Sequence, residues 1–423
     1  MGMTERADVV VAGGGPAGLQ FARSMTGRSN RSVVVLEAND ALSDNDKSTG
    51  GTFDRVIEGF DIPDSVVMDD CADVVFEAPG ASEHLPIPGY VLDFPAFLEF
   101  LGEDAEANGA DVRTGCRVTD PLVEDRRVVG VEYREDGDEK RVRADLVVEA
   151  TGPRAVLAGP LGMFDRTSAQ RGIGKEYEME GRYDLDSMLF RFDHEAAPGG
   201  YAWTFPAGDG VFKAGVCWID DFFERHGPDD AVIDDFVERW VASDDRWEAD
   251  ERRAVHAGEA VSNNSLNRRA VDGLVAVGDA ISSINPLFGE GIRPGMESAE
   301  MAVDVALDAF AAGDTSRERL APYERRWNDE KGLHWRVQRI VGELLYDFDA
   351  DRQARFVRKA GRMDRAGARR LQQYELSARD YLSLYPFDPS DVGKLPRLLR
   401  HVRSARDRPT ASRRSTPGSS PGR

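Results

Sequence analysis

The sequence predicts an α/β fold in which a Rossmann-like dinucleotide-binding domain is interrupted by an antiparallel β-sheet domain and followed by C-terminal helices. Three observations predict it. A strand, a glycine turn and a helix start follow one another near the N-terminus. A second strand that ends in a glycine turn comes more than two hundred residues later. Between them, alternating apolar and polar segments separated by glycines indicate antiparallel strands.

The first glycine turn has the pattern G-x-G-x-x-G and follows a β-branched run, Val9–Val11, that suits a buried parallel strand. In this pattern the first glycine makes the turn, the second lets a pyrophosphate approach the backbone, and the third lets the helix pack on the strand. The helix start then directs free N–H groups and its positive dipole end at the phosphates. The cofactor-binding residues predicted from this turn are Gly13, Gly15, Pro16, Ala17 and Gly18.

A second strand, Ser32–Leu36, ends in an acid at the position expected for a ribose ligand. Glu37 follows Gly18 by nineteen residues, close to the spacing of about twenty at which an acid binds a ribose hydroxyl. An acid there suits the unphosphorylated ribose of FAD or NAD and repels the phosphate of NADP. We therefore predict that Glu37 and Ala38 contact a dinucleotide. A plain α/β turn with a surface glutamate is the alternative.

Two later segments complete the pattern. A strand that ends at Glu149 leads into a turn that contains Gly152. Another short strand ends at Gly278 and Asp279, and a further glycine turn, Asn285–Gly291, comes before a helix. Together with the N-terminal turn, these segments indicate that one FAD is held from both ends of the chain.

The composition is that of an acidic globular protein. The 423 residues carry a net charge of −22 at pH 7, and only seven of them are lysines. Many acids with few lysines are typical of a protein from a high-salt cytoplasm, where screening is short-ranged. An ordinary acidic mesophile protein is the alternative. The charge argues against nonspecific nucleic-acid binding, so we predict no nucleic-acid partner.

Cysteine use and hydropathy narrow the class further. Cys71, Cys116 and Cys217 are far apart and form no CxxC pair, so we predict three free thiols and no disulfide framework, zinc site or iron–sulfur cluster. The longest apolar runs have only the length of a strand, and the first strand begins too early to leave room for a secretory signal. We therefore predict a cytoplasmic protein that binds no metal.

Changes in composition, charge and the pattern of apolar residues along the chain predict the domain organisation. The last stretch alternates leucines with arginines over residues 394–408, which favours contact with the inner face of the cell membrane, or equally a helix packed on its own domain. Beyond it, the Ser, Pro and Arg composition predicts a disordered tail, 409–423. We predict the dinucleotide-binding domain at 1–60, 90–160 and 261–320, the antiparallel sheet at 61–89 and 161–260, and a helical region at 321–408.

The order of these segments resembles that of the p-hydroxybenzoate hydroxylase-like flavoproteins, in which a substrate-binding sheet interrupts the FAD domain. The resemblance implies that Asp279 binds the ribityl chain or the phosphates. It also implies that the turn Gly289–Ile292 directs backbone N–H groups at the pyrimidine end of the flavin, and that the Val118 backbone contacts the adenosine side. The further cofactor-binding residues it implies are Gly152, Gly278, Pro286, Gly289, Glu290, Gly291 and Ile292.

Within that class, the segment Pro198–Pro206 is similar to the P-x-x-Y-x-W-x-F-P motif of the geranylgeranyl reductase family. The resemblance extends from Val9 to about Trp327 and is weaker in the C-terminal helices. The substrate-pocket residues that it implies are Pro198, Tyr201, Trp203, Phe205 and Pro206.

The aromatic residues of this motif also have a meaning that does not depend on the family. On a strand, Tyr201, Trp203 and Phe205 point to one face, because side chains alternate. Three rings, each able to bury roughly 150–250 Å², make an apolar wall suited to a polyprenyl chain, which offers no hydrogen-bonding groups. The inner face of a sandwiched sheet is the alternative.

The chain departs from the family in one turn. Many relatives carry a cysteine in a Cys-Gly-Gly turn near the flavin, and the matching positions here are Thr49, Gly50 and Gly51. A thiol with a pKa of about 8.5 donates a proton near neutrality, whereas an alcohol is a far weaker acid. We expect Thr49 to relay a proton from water and the two glycines to allow close approach of the flavin. The catalytic residues that we expect are Thr49, Tyr201 and Trp203.

The family resemblance implies a FAD-dependent reductase that hydrogenates C=C bonds of geranylgeranyl chains on isoprenoid ether-lipid precursors of membranes. The chain has no second dinucleotide pattern, so two electron donors stay open: NAD(P)H that binds transiently, or a ferredoxin. A FAD-dependent monooxygenase or halogenase is an alternative, although a halogenase would carry W-x-W-x-I-P where this chain has Tyr201–Pro206. A non-redox prenyl-lipid-binding protein on the same fold is another.

Overall fold

The structure is a computed structural model that describes residues 5–164, 169–262, 268–373, 375–389 and 391. The chain divides into two compact units, Met1–Pro386 and Phe387–Arg423, and all the described α-helices and β-strands belong to the first. The predicted basic segment 394–408 and the predicted tail 409–423 lie outside the described residues.

The described part of the first unit contains eighteen strands and eleven α-helices. In chain order, the strands are β1 (Glu5–Ala12), β2 (Val33–Leu36), β3 (Gly51–Phe53), β4 (Val67–Cys71), β5 (Asp73–Ala78), β6 (Ala81–Leu85), β7 (Gly89–Leu92), β8 (Asp111–Arg113), β9 (Arg117–Glu124), β10 (Arg127–Glu135), β11 (Asp138–Glu149), β12 (Gln170–Tyr183), β13 (Ser187–Arg191), β14 (Gly200–Pro206), β15 (Val211–Ile219), β16 (Trp247–Ser262), β17 (Ala270–Val271) and β18 (Leu274–Ala276). The helices are α1 (Pro16–Arg28), α2 (Asp54–Ile57), α3 (Phe94–Ala107), α4 (Asp220–His226), α5 (Ile233–Val241), α6 (Ile292–Ala311), α7 (Arg317–Trp327), α8 (Leu333–Leu345), α9 (Ala350–Ala360), α10 (Arg365–Gln372) and α11 (Ala378–Leu384).

The first sheet has the central order β17-β18-β11-β1-β2-β8, and its pairs from β18 to β8 are parallel. Strand β1 is buried from Val9 to Ala12, because helices cover one face and a second apolar cluster covers the other. Strand β11 has two sets of partners. Its first half pairs antiparallel with β10, and its second half pairs parallel with β1 and β18.

Three helices pack on one face of this sheet. Helix α1 contributes Leu19 and Phe21, α3 contributes Phe97, and α6 contributes Met296 together with several alanines. These side chains are fully buried in one cluster. Helix α1 begins directly after β1 and α6 directly after the Asn285–Gly291 turn. Their shared core therefore fixes the positions of both glycine-rich turns.

The second sheet has seven strands in the order β16-β12-β15-β14-β13-β5-β6. All of its neighbours are antiparallel except β13 and β5, which are parallel. The predicted class, a dinucleotide-binding α/β fold interrupted by an antiparallel sheet and followed by helices, is confirmed, with this one parallel pair as a difference. A small third sheet, β3-β7-β4, is antiparallel.

The two faces of the seven-stranded sheet are covered by different helices. One face packs on α5, where Phe236 and Trp240 contact a cluster that includes Trp218. The other face shares a cluster with residues of the C-terminal helices, among them Leu345 and Phe356. We call this second face the inner face. It carries Tyr201, Trp203 and Phe205.

Candidate active site

A cavity of about 1040 Å³ extends from the carboxyl ends of β1 and β2 to the inner face of the seven-stranded sheet. Its volume is at the upper end of the range of about 300–1,000 Å³ typical of small-molecule sites. Twenty of the predicted site residues line it, namely Gly13, Gly15, Pro16, Ala17, Glu37, Ala38, Thr49, Gly51, Val118, Gly152, Tyr201, Trp203, Phe205, Gly278, Asp279, Pro286, Gly289, Glu290, Gly291 and Ile292.

Four predicted site residues do not line the cavity, and two of them have a structural reason to be glycine. A Cβ on Gly18 would lie 2.1 Å from the carbonyl oxygen of Gly13. Gly50 has a φ of +76°, and its Cβ would lie 2.2 Å from the Leu92 carbonyl oxygen. Gly18 therefore lets α1 pack closely on the Gly13 turn, and Gly50 shapes a turn of its own. The other two, Pro198 and Pro206, lie before β14 and at its end.

The two glycine turns that are far apart in the sequence meet in the structure. Strand β18 lies parallel to β11, which lies parallel to β1, so their carboxyl ends reach the same edge of the sheet. A Cβ on Gly278, where φ is +60°, would lie 2.8 Å from the Cβ of Ala17 in the first turn of α1. Both turns therefore border the same end of the cavity.

Gly15 has the features of a residue that makes room for a ligand. It is the N-cap of α1 with an ordinary extended backbone (φ −81°, ψ 178°), and a Cβ there would meet no atom within 4 Å. Nothing in the protein itself therefore requires a glycine at this position. The open space faces the N-terminus of a 13-residue helix, where N–H groups and the helix dipole attract phosphate.

Glu37 is buried at the end of β2 and is held by the backbone. One carboxylate oxygen accepts a hydrogen bond from the Gly14 amide at 2.7 Å, and the other accepts one from the Asn39 amide at 2.9 Å. Each carboxylate oxygen can accept a further hydrogen bond, so this fixed group can still receive hydroxyl donors from a ribose. Glu37 therefore lies where the sequence predicts it.

Asp279 also lines the glycine end of the cavity, where it offers a hydrogen-bond acceptor that has no donor among the described residues. Its Oδ1 atom is buried and has no hydrogen-bond partner among the residues that the structure describes. Burial, with a smaller effect of Glu290, raises the pKa of this carboxyl to about 6. The neighbouring turn is held by Asn285, whose side-chain oxygen accepts from the amides of Leu287 and Phe288. Hydroxyl donors of a bound ligand would satisfy Asp279.

Asp279 is expected to make the stability of the ligand-free protein depend on pH. Its folded pKa of about 6 lies above the value of about 3.9 for an unfolded aspartate. Protonated Asp279 therefore contributes to the free energy of unfolding. This contribution is fully present below about pH 3.9 and is lost as the pH rises through about 6. Chemical denaturation of the wild type and of Asp279→Asn across this range measures the effect. The substitution should remove this part of the pH dependence, and parallel curves for the two proteins would contradict the expectation.

The aromatic wall lies on the inner face of β14, as the alternation of side chains predicts. Tyr201 and Trp203 have ring centroids 6.0 Å apart, and Phe205 packs against Phe190 at 5.1 Å. The Trp203 indole N–H donates to Oε2 of the buried Glu176 at 2.6 Å, and the Tyr201 hydroxyl donates to the Phe288 carbonyl oxygen at 2.6 Å. Both polar groups are thus occupied, and the rings offer apolar surface to the cavity.

The Trp203–Glu176 hydrogen bond is expected to contribute measurably to stability. Trp203→Phe removes the indole N–H and leaves Oε2 of Glu176 buried without a hydrogen-bond donor. This loss should lower the free energy of unfolding by about 1–3 kcal/mol. Trp335→Phe is the control, because that half-buried indole N–H donates to the neutral backbone oxygens of Ser283 and Ile284. Urea denaturation compares the two variants, and an equal or smaller loss for Trp203→Phe would be evidence against the expectation.

The turn that carries Thr49 lies on the inner face as well. The Thr49 hydroxyl oxygen is buried and has no hydrogen-bond partner among the described residues, while its carbonyl oxygen accepts from Lys213 Nζ at 3.2 Å. Lys213 is itself buried, and so are Glu176 and His256 in the same region. Sequence reasoning missed these three residues. The only local signal was a lysine in the otherwise apolar strand β15.

The predicted thiols are free. Cys71 and Cys116 are buried, and Cys217 is half-buried in the cavity wall. No helix among the described residues has both the length and the apolar character of a membrane span. Within the same residues, His, Cys, Asp and Glu side chains form no group of three or more that could hold a metal ion.

Comparison with known proteins identifies the family. The digeranylgeranylglycerophospholipid reductase of Haloferax volcanii is 39% identical over 359 residues, which are 81% of this chain and 87% of that protein. This chain belongs to the digeranylgeranylglycerophospholipid reductase family. A reductase of the same name from Methanopyrus kandleri is 29% identical over 83% of this chain and 93% of its own length. The sequence model of the family described as tryptophan halogenase matches residues 76–363, more than half of the chain, so the chain belongs to that family as well.

Solved structures show the same fold. A geranylgeranyl bacteriochlorophyll reductase-like protein from Thermoplasma acidophilum superposes with a TM-score of 0.77 at 19% identity, over 95% of this chain and all of that one. The myxobacterial chondrochloren halogenase, a FAD-dependent halogenase, superposes with a TM-score of 0.63 at 20% identity, over 92% of this chain and 99% of that one. This chain therefore has the fold of the reductase-like protein and of the halogenase.

Proposed function

We propose that this protein is a FAD-dependent reductase that hydrogenates C=C bonds in the geranylgeranyl chains of isoprenoid ether-lipid precursors. One observation carries the proposal: a single cavity joins the two glycine turns to the wall formed by Tyr201, Trp203 and Phe205. The name shared by the relatives, digeranylgeranylglycerophospholipid reductase, points to the same class of substrate.

The residues at the glycine end fit FAD. The open position at Gly15 and the N-terminus of α1 would hold the pyrophosphate, Glu37 a ribose, and Asp279 the ribityl hydroxyls. The backbone of Gly289–Ile292, at the start of α6, would face the flavin ring. When bound, reduced FAD supplies the hydride for the reaction.

The residues at the aromatic end fit the alkene. An isolated C=C bond cannot stabilise a carbanion, so protonation of one carbon must accompany or precede hydride addition to the other. Such a step needs a dry, tightly positioned site. The ring faces of Tyr201 and Trp203 exclude water there, because the polar groups of both rings are bonded to Phe288 and Glu176.

The remaining assignments follow from the same proposal. NAD(P)H or a ferredoxin would reduce the cofactor. The protein would work in the cytoplasm, at the inner face of the cell membrane, where the basic segment 394–408 would contact anionic lipid. Thr49 would relay a proton from water. The predicted division into a dinucleotide-binding domain, a substrate sheet and a helical region would correspond to these tasks.

Anaerobic turnover tests the proposal. The purified protein, loaded with FAD and reduced with dithionite, is mixed with geranylgeranylated ether lipids, and the lipids are analysed by mass spectrometry. We expect the gain of two hydrogens for each reduced double bond. Unchanged lipids across the panel, with FAD bound, would contradict the proposal.

A flavin-dependent halogenase or monooxygenase is the second candidate, favoured by the match of residues 76–363 to the tryptophan halogenase family. Such an enzyme needs oxygen, so oxygen consumption coupled to a halogenated or hydroxylated product would support it. The segment Tyr201–Pro206 argues against a halogenase, because it lacks the W-x-W-x-I-P pattern. A prenyl-lipid carrier without redox chemistry would bind the same lipids and purify without flavin.

A further inference from the structure

The exposed side of helices α9 and α10 is basic, although the chain as a whole is acidic. From Arg352 to Arg379, nine residues are arginine or lysine and two are acidic, whereas the whole chain carries a net charge of −22. Both helices bury their apolar sides in the same cluster on the inner face, for example through Phe356 and Leu371. Their other sides are exposed. We call five exposed residues there the basic face, namely Arg355, Arg358, Arg362, Arg365 and Arg369.

The helical repeat places the charges of the basic face side by side. Arg355 and Arg358 are three residues apart on α9 and therefore lie on one side of that helix. Arg365 and Arg369 are four residues apart on α10, and Arg362 lies in the turn between the two helices. Within the part of the chain that the structure describes, none of the five forms an ion pair. Like charges at such spacing repel one another, so an anionic partner would stabilise this face.

Other exposed arginines of the described chain have acidic partners within the protein. Arg143, for example, contacts Glu124 at 2.7 Å. The acid within the basic face is already engaged, because Asp364 is the N-cap of α10 and accepts a hydrogen bond from the Gly367 amide at 2.7 Å. The basic face therefore offers its charge to a partner outside the chain.

The neighbouring helix α11 adds an exposed apolar side chain. Helix α11 packs on α9 and buries Leu384 in the same inner-face cluster. On its exposed side, Arg379 and Leu382 are three residues apart, and Leu382 is 76% exposed. Arginines that flank an exposed leucine are typical of helices that lie at a membrane surface, where the leucine is buried below the headgroups.

The substrate class supplies an anion that matches this face. A glycerophospholipid carries a phosphate group, so a membrane made of such lipids has an anionic surface. The five cations of the basic face are all arginines. A guanidinium forms paired hydrogen bonds with phosphate oxygens, which an ammonium cannot do. Contacts of this kind act at short range and depend less on the long-range attraction that salt screens.

Helix α10 connects the basic face to the cavity. Leu371 and Gln372 lie on its buried side and line the cavity, while Arg365 and Arg369 lie on its exposed side. A helix with its side chains is about 10–12 Å across, so a single helix separates the basic face from the cavity. Leu371 shares a cluster with the aromatic wall rather than with the glycine end, where a flavin would be reduced. This position favours a lipid partner over a protein that delivers electrons.

We propose that the basic face, together with Leu382 of α11, docks the protein on the anionic surface of the membrane that contains its lipid substrate. The proposal rests on the proposed function, which makes a phosphate-bearing lipid the substrate. The arginines bind lipid phosphates, Leu382 inserts below the headgroups, and the α10 wall of the cavity lies next to the bilayer. The prenyl chain then has a short path from the bilayer to the aromatic wall.

Co-sedimentation of the full chain with lipid vesicles tests the docking surface. The test variant combines three substitutions in the basic face, Arg355→Gln, Arg362→Gln and Arg365→Gln. The control removes the same charge from exposed arginines elsewhere, Arg126→Gln, Arg268→Gln and Arg325→Gln. The vesicles consist of anionic phosphatidylglycerol or of neutral phosphatidylcholine, at one salt concentration in which all three proteins are folded.

The wild type and the control should bind phosphatidylglycerol vesicles more tightly than phosphatidylcholine vesicles. The test variant should bind phosphatidylglycerol vesicles at least about tenfold more weakly than the wild type, because each arginine near an anionic surface adds to the binding. Equal binding of the wild type to both kinds of vesicle would overturn the proposal. A test variant that sediments like the control would also overturn it, and would assign any membrane contact to the segment 394–408.

Lipid reduction by the FAD-loaded protein separates a failure of this proposal from a failure of the proposed function. The test variant should reduce detergent-dispersed lipid at the wild-type rate and lipid in phosphatidylglycerol vesicles more slowly. A variant that binds vesicles normally but takes electrons slowly from a reduced ferredoxin would assign the face to a protein partner and contradict the proposal. If the wild type reduced lipid in neither form, the proposed function would be wrong, and sedimentation would still decide whether the basic face binds anionic lipid.

Discussion

Replacing Gly15 with alanine is expected to weaken flavin binding strongly while the protein without flavin stays folded. The backbone at Gly15 suits any residue, and the new methyl group would meet no protein atom within 4 Å. It would instead occupy the space that a pyrophosphate needs at the start of α1. We expect the dissociation constant for FAD to rise at least about a hundredfold, roughly 2.8 kcal/mol. Flavin fluorescence titration measures the affinity, and urea denaturation of the apoprotein measures the stability.

Gly18→Ala is the matched control for this substitution. Its Cβ would lie 2.1 Å from the Gly13 carbonyl oxygen, so the helix could not keep its place against β1. We expect a loss of about 2 kcal/mol or more in the free energy of unfolding, even without flavin. If Gly15→Ala bound FAD with the wild-type affinity, the assignment of this turn to the pyrophosphate would be wrong.

Filling the cavity at Gly174 is expected to stop lipid reduction without releasing the flavin. Gly174 lies on β12 and lines the cavity, and a Cβ there would lie 3.5 Å from the Cβ of Cys217 and 3.6 Å from the Trp203 ring, which are ordinary contacts. A larger side chain would therefore extend over the aromatic wall rather than into the protein. We expect Gly174→Leu to reduce lipid turnover by about a hundredfold or more, because a misplaced reactant loses the benefit of proximity.

Gly174→Ala gives the graded comparison, because a single methyl group fits at 3.5 Å from the Cβ of Cys217 and 3.6 Å from the Trp203 ring. It should bind lipid somewhat more weakly and keep most of the activity. Lipid turnover and flavin content are measured for both variants. Full activity in Gly174→Leu would show that the prenyl chain does not lie along Trp203 and would require another location for the substrate.

The sequence predicts the position of the N-terminal glycine turn, because the signals there are local. The residues from Val9 to Gly18 specify a strand, a turn and a helix within one continuous segment, and the spacing to Glu37 adds the second strand. The aromatic wall is predicted for a similar reason. Alternation along β14 alone places Tyr201, Trp203 and Phe205 on one face.

The buried ionisable side chains of the inner face, Glu176, Lys213 and His256, could not be predicted in the same way. Glu176 and His256 are neighbours only because β12 and β16 pair in one particular register across a long sequence separation. A shift by one residue would move either side chain to the opposite face of the sheet. The same limit explains β11, whose two halves serve different partners and look like two strands in the sequence.

A crystal structure with FAD and a geranylgeranylated ether lipid tests the central claim most directly. The account predicts electron density for the dinucleotide from Gly15 to the start of α6, and for the prenyl tail along the ring faces of Tyr201, Trp203 and Phe205. Lipid density elsewhere on the protein, or a flavin bound away from both glycine turns, would contradict it.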